Sequence, residues 1–156
     1  MVLLGAATPA TPVPPNPAFT QLAGVWNCTR GGVIQEGWTA RLVVAPQPDG
    51  SFEFTQTGTS NLSEKAEAHF YLSYDPSNGT WTQTDPDFPF PLAGKQNGNE
   101  VLMAAPLPQH RRFQLELSPS GQVFAYLVFD DPVREIKSVD FHAYQSHFVE
   151  CNRQGG

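Results

Sequence analysis

A chain of 156 residues is long enough for one domain with a core of its own. Its net charge of −6 excludes a nucleic-acid surface, which needs a basic patch, and no apolar run approaches the roughly 18 residues of a membrane-spanning helix. Fifteen prolines and thirteen glycines require many turns, which suits short strands better than helices, while eleven Phe, four Tyr and three Trp supply bulky interior groups.

Residues 1–17 stand apart. Val2-Leu3-Leu4-Gly5-Ala6-Ala7 followed by Pro12, Pro14, Pro15 and Pro17 reads as a Pro-rich tail or signal-peptide remnant ahead of a single domain over residues 18–154. A short helical turn at 19–22 is expected to plug one end of that domain. A strand over 25–29 ends at Gly31-Gly32. A second, over 37–45, carries Trp38, Ala40, Leu42 and Val44 on one face, and Asp49-Gly50 turns it into a third with Phe52 and Phe54 on one face. After a polar loop, a strand over 66–74 places His69, Tyr71 and Ser73 opposite Phe70, Leu72 and Tyr74. Both faces are aromatic, so its inward side is not assigned.

Residues 75–79 turn the chain into a strand over 80–84. Residues 85–98 contain Pro86, Pro89 and Pro91, which a strand ladder cannot hold, so Phe88 and Phe90 are expected to fold over a barrel mouth. His110-Arg111-Arg112 reads as a solvated loop or the start of a strand. Strands follow over 100–104, 112–117 and 122–129, and a last one over 137–153. No helical period or internal repeat appears. The fold class is all-β: an antiparallel up-and-down barrel of eight to ten strands.

The two ends of the domain carry matched spacings. Trp26 lies two residues before Cys28, and Arg153 two residues after Cys151. Residues two apart share a strand face, so an antiparallel pairing of Cys28 with Cys151 sets Trp26 opposite Arg153 and closes a barrel. Two free thiols remain possible, but a disulfide is the expected state, and with it an oxidising compartment. A zinc site lacks a second pair of ligands.

Leu22-Ala23-Gly24-Val25-Trp26 resembles the opening of lipocalins and other calycins, in which a basic residue of the last strand packs over the tryptophan; Arg153 matches that residue. The chain is more closely similar to the bacterial lipocalin-like proteins of the DUF1579 type, with their G-T-W-x-C-x-G opening, Y-D-x-x-x-x-x-W hairpin and E-T-C-K-K ending. Here the corresponding residues are Gly24-Val25-Trp26-Asn27-Cys28, Tyr74-Asp75 with Trp81, and Glu150-Cys151-Asn152-Arg153. The T-D-Y element of the core lipocalins is absent, because Pro86 follows Thr84-Asp85. The resemblance implies secretion and a barrel, and it brings no catalytic residues.

With Trp26 inward, the last strand directs Arg153, Cys151, Val149, His147 and Gln145 inward too. Trp26, Arg153, Cys28 and Cys151 are read as structural. His147, Gln145, Val149, Trp38, Phe52 and Phe54 are the candidate ligand-binding residues. The leading function is a secreted or periplasmic barrel binding a small, largely apolar molecule. The alternative is a cofactor-free isomerase, cyclase or lyase with His147, or His69 and Tyr71, as acid–base groups inside the barrel. Asp85, Asp87, Asp130 and Asp131 read as turn caps. Neither metal nor cofactor is expected, and apolar residues on both faces of the 122–129 strand allow a homodimer through the outer strands.

Overall fold

The structure is a computed structural model, and it describes residues 21–30, 38–59, 67–106, 108–130 and 148–155. Among them all regular structure is β: β1 (Gly24–Arg30), β2 (Thr39–Pro46), β3 (Phe52–Thr59), β4 (Ala68–Asp75), β5 (Thr80–Asp85), β6 (Phe88–Asn97), β7 (Glu100–Ala104), β8 (Arg111–Leu117), β9 (Val123–Asp130) and β10 (Val149–Arg153). Each strand pairs antiparallel with its sequence neighbours, and β10 returns to β1, so the barrel has no free edge. No helix among the described residues is long and apolar enough to cross a membrane.

Closure follows the spacing at the two ends. Trp26 pairs with Arg153, Cys28 with Cys151, and the two sulfurs form a disulfide. The bond spans 123 residues of sequence. A loop of that length is worth about 5 kcal/mol in the chain-entropy account.

The barrel has two unlike ends. At the floor, tight turns join the strands. Gly50 and Gly79 take φ of 86° and 73°, a region that glycine enters without strain. Asp49 Oδ1 accepts from the Ser51 amide (2.9 Å) and hydroxyl (2.6 Å), and Asp75 does the same with Ser77 (2.9 and 2.6 Å). These bonds hold both carboxyls below the usual aspartate range. The opposite strand ends, among them Thr39, Ala68, Asp85, Phe88 and Arg111, surround the mouth.

Residues 85–98 correct one expectation, because they form a tight turn and a ten-residue strand, β6. Pro89 and Pro91 lie in its first part, where the register with β5 shifts between Gln83 and Asp85 and where pairing with β7 has not begun; the first β7 pair is Ala93 with Ala104. A missing N–H costs little there, since no partner strand asks for it. Phe88 and Phe90 do lie at the mouth end, but as strand residues rather than as a flap.

Side-chain direction on β4 and β9, ambiguous in sequence, is plain in the structure. Phe70 and Leu72 are buried in the interior, and so are Phe124 and Tyr126. On the outer side of β9, Leu127 is buried against Phe148 within the chain itself, so this part of the expected dimer surface is internal. The last described strand begins at Val149. Residues 137–147 lie outside the described residues, and His147 and Gln145 with them.

Candidate functional site

The floor is closed by a latch built from the sequence motif. Trp26 donates its indole N–H to the Leu22 carbonyl (2.9 Å), and the Arg153 guanidinium lies 4.1 Å from the Trp26 ring centroid. Arg153 also donates to the carbonyls of Ala23 (3.1 Å), Gln21 and Gly121 (3.3 Å). Gly24 is required at this point: its φ is 138°, and an added Cβ would lie 3.0 Å from Arg153 Nη1. Trp26, Arg153, Cys28 and Cys151 thus close the barrel.

Above the latch the interior is filled by rings. Trp26 meets Phe124 edge-on (centroids 4.6 Å apart), Phe54 stacks on Phe70 (4.6 Å), and Phe70 meets Phe113 (5.3 Å) and Tyr126 (5.6 Å). Leu42, Leu72, Trp81, Met103 and Leu115 complete an apolar core. Phe54, expected to line a pocket, is part of this packing, and Phe52 is half-buried against it.

One polar pair crosses the filled region. The Tyr126 hydroxyl donates to Gln56 Oε1 at 2.5 Å, between two buried side chains from opposite walls. Burial raises the Tyr126 phenol far above its ordinary value and outweighs the opposing hydrogen bond, so the hydroxyl stays neutral. Gln83 is a second buried amide on the same inner surface.

Toward the mouth several inward positions become small. Leu42 is followed by Ala40, Phe70 by Ala68, Met103 by Ala105 and Cys151 by Val149, while Gly58 sits tight against the Thr39 and Ala40 backbone of β2. Trp38 is buried at the same level, and Arg111 lies over the Phe88 ring at 4.1 Å. Val149 and Trp38 are both buried in the core cluster at this end.

His69 and Tyr71 require a correction, since they lie on the outer face of β4 and not inside the barrel. Their neighbours Phe70 and Leu72 take the inward positions, and strand alternation then forces the pair outward. The His69 side chain is 46% exposed, its Nε2 3.7 Å from Glu53 Oε1. Partial desolvation, followed by the charge and hydrogen bond of Glu53, raises the Tyr71 phenol. Beside them is a concavity of about 530 Å³ whose lining includes Glu53, Glu67, His69 and Asp87, together with Gln56 and Ala68. No group of three metal-ligating side chains occurs among the described residues.

Sequence reasoning missed Gln56 and Tyr126. Gln56 was within reach of it: the residue continues the inward series Phe52, Phe54 by two, and a polar side chain in such a series marks an interior polar contact. Protein-family models, curated proteins and solved structures yield no match to this chain.

Proposed function

We propose that this protein is an extracytoplasmic, lipocalin-like barrel that holds a small, largely apolar molecule in the mouth half of its interior. The observation that carries this reading is the change in side-chain size at the level of Gln56 and Tyr126, with a cluster of aromatic rings below and Ala40, Ala68, Ala105 and Val149 beside Trp38 above. Apolar walls with one polar anchor are the usual form of a small-molecule pocket. Binding is driven by apolar burial, about 25 cal/mol per Å² before the costs of association. The Gln56–Tyr126 pair orients a carbonyl or hydroxyl of the guest. Among the described residues Tyr126 is the one buried titratable group of the interior, and a neutral phenol bonded to an amide suits recognition better than proton transfer.

The disulfide supports an oxidising compartment. The Gly24-Val25-Trp26 latch with Arg153, and the Tyr74-Asp75…Trp81 hairpin, support kinship with the DUF1579-type proteins.

Native mass spectrometry of protein purified from its own host tests the reading. Wild-type protein should carry a bound small molecule, and Ala68→Phe should lose it while keeping the barrel. Equal occupancy in the two proteins, or a bare chain in both, would contradict the assignment.

A further inference from the structure

On β1, β2, β3 and β10 the residues Cys28, Ala40, Gln56 and Cys151 are buried toward the interior. Strand alternation then turns Asn27, Arg41, Thr57 and Asn152 to the outside of the wall, and Thr29 and Thr39 with them. The registers set these side chains next to one another. Asn152, Asn27, Arg41 and Thr57 form one row across four strands, and Thr29 lies opposite Thr39 in the next. Three inter-strand spacings make the first row about 14 Å long.

The six residues line a concavity of about 480 Å³. Cys28 and Ala40 direct their side chains to the core and Gly58 has none, so the floor between the rows is backbone. Asn27, Arg41, Thr57 and Asn152 are exposed, and no hydrogen bond or ion pair within the chain engages any of the six side chains. The concavity beside His69 differs in this respect, because Glu53 there already accepts from Thr55 (3.3 Å) and faces His69.

Amides and hydroxyls both donate and accept, which is the pairing that sugar hydroxyls require. Asn and Thr side chains are also short, so fixing them on a ligand costs less entropy than fixing Lys or Gln. Arg41 adds one permanent cation whose planar fork fits the two oxygens of a carboxylate, and no Asp or Glu lines the concavity to compete for it. A single cation on a chain of net charge −6 suits a ligand with one acidic group and disfavours a polyanion.

We infer that this outer wall binds a saccharide bearing one carboxylate, a uronate. Arg41 takes the acid group, and Asn27, Asn152 and Thr57 take ring hydroxyls along the row. The site lies outside the barrel and does not depend on the interior pocket proposed above.

The probe is an aldobiouronic acid, glucuronate linked to xylose, titrated into isotope-labelled protein while backbone and side-chain amide NMR signals are followed. Wild type should show saturable shifts centred on Asn27, Arg41 and Asn152. Arg41→Gln should weaken binding about tenfold, the worth of one charge-assisted pair, and neutral xylobiose should bind wild type more weakly by the same factor. Asn27→Ala with Asn152→Ala, which leaves the cation in place, should weaken binding as well. Ala68→Phe should respond as wild type does. The proposal is overturned by the absence of saturable shifts on this wall, or by unchanged affinity in Arg41→Gln or in the double variant. It is equally overturned by a response to acetate as strong as that to the probe, which would leave the sugar no part, or by loss of the response in Ala68→Phe, which would move the probe to the interior.

Discussion

The floor and the mouth of this barrel are built from the same ten strands and solve opposite problems. At the floor large side chains interlock, the turns are tight, and Arg153 ties Trp26 to three backbone carbonyls. At the mouth Ala40, Ala68 and Ala105 are small beside the larger Trp38 and Phe88, with a tyrosine–glutamine pair at the boundary. Side chains interlock most closely at the floor, and the proposed binding function assigns the guest to the other end. A stability–function division of this kind can be broken experimentally at either end.

The largest effect should come from the covalent closure. Reduction, or replacement of Cys28 and Cys151 by serine, should cost about 5 kcal/mol and lower the urea midpoint. A small loss would mean that strand pairing alone holds β1 to β10. Next comes Phe54→Ala, which opens a cavity beside Phe70 and should cost about 3–5 kcal/mol in the same assay. Arg153→Met strands its carbonyl partners and removes the cation–π contact, for about 3 kcal/mol. At the mouth, Ala68→Phe should change stability by less than about 1 kcal/mol, since it adds volume where the wall is small. A loss as large as that of Phe54→Ala would show the mouth to be packed like the floor.

The smallest effect should be in acid. The carboxyls of Asp49 and Asp75 titrate below their ordinary value because Ser51 and Ser77 bond to the charged form. A lowered folded-state pKa means that their contribution is complete above the ordinary value of 3.8 and is lost as the pH falls through the lower one. Ser51→Ala with Ser77→Ala should therefore flatten the acid limb of the stability curve below pH 4 while leaving stability at the mouth unchanged.

Much of the floor was legible in the sequence. Trp26 and Cys28, like Cys151 and Arg153, are two apart, and that spacing alone predicts which residues face one another across β1 and β10. β6 was not legible, because the rule against proline in strands depends on whether a partner strand needs the missing N–H, and here that part of the strand lies at a register shift. The faces of β4 and β9 were ambiguous for another reason: both sides carry aromatic or apolar residues, and Leu127 and Phe148 give the barrel a second, external apolar contact. Arg112 looked like a solvated basic residue beside His110 and Arg111. Only the three-dimensional neighbourhood reveals that it is buried.

The proposed division between a filled floor and a receptive mouth is most directly tested by diffraction from crystals pressurised with xenon, which enters apolar space that water leaves empty. Xenon should bind beside Ala40 and Ala68, above the Gln56–Tyr126 pair, and not among Phe54, Phe70 and Phe113. Xenon confined to the ring cluster, or excluded from both halves, would contradict it.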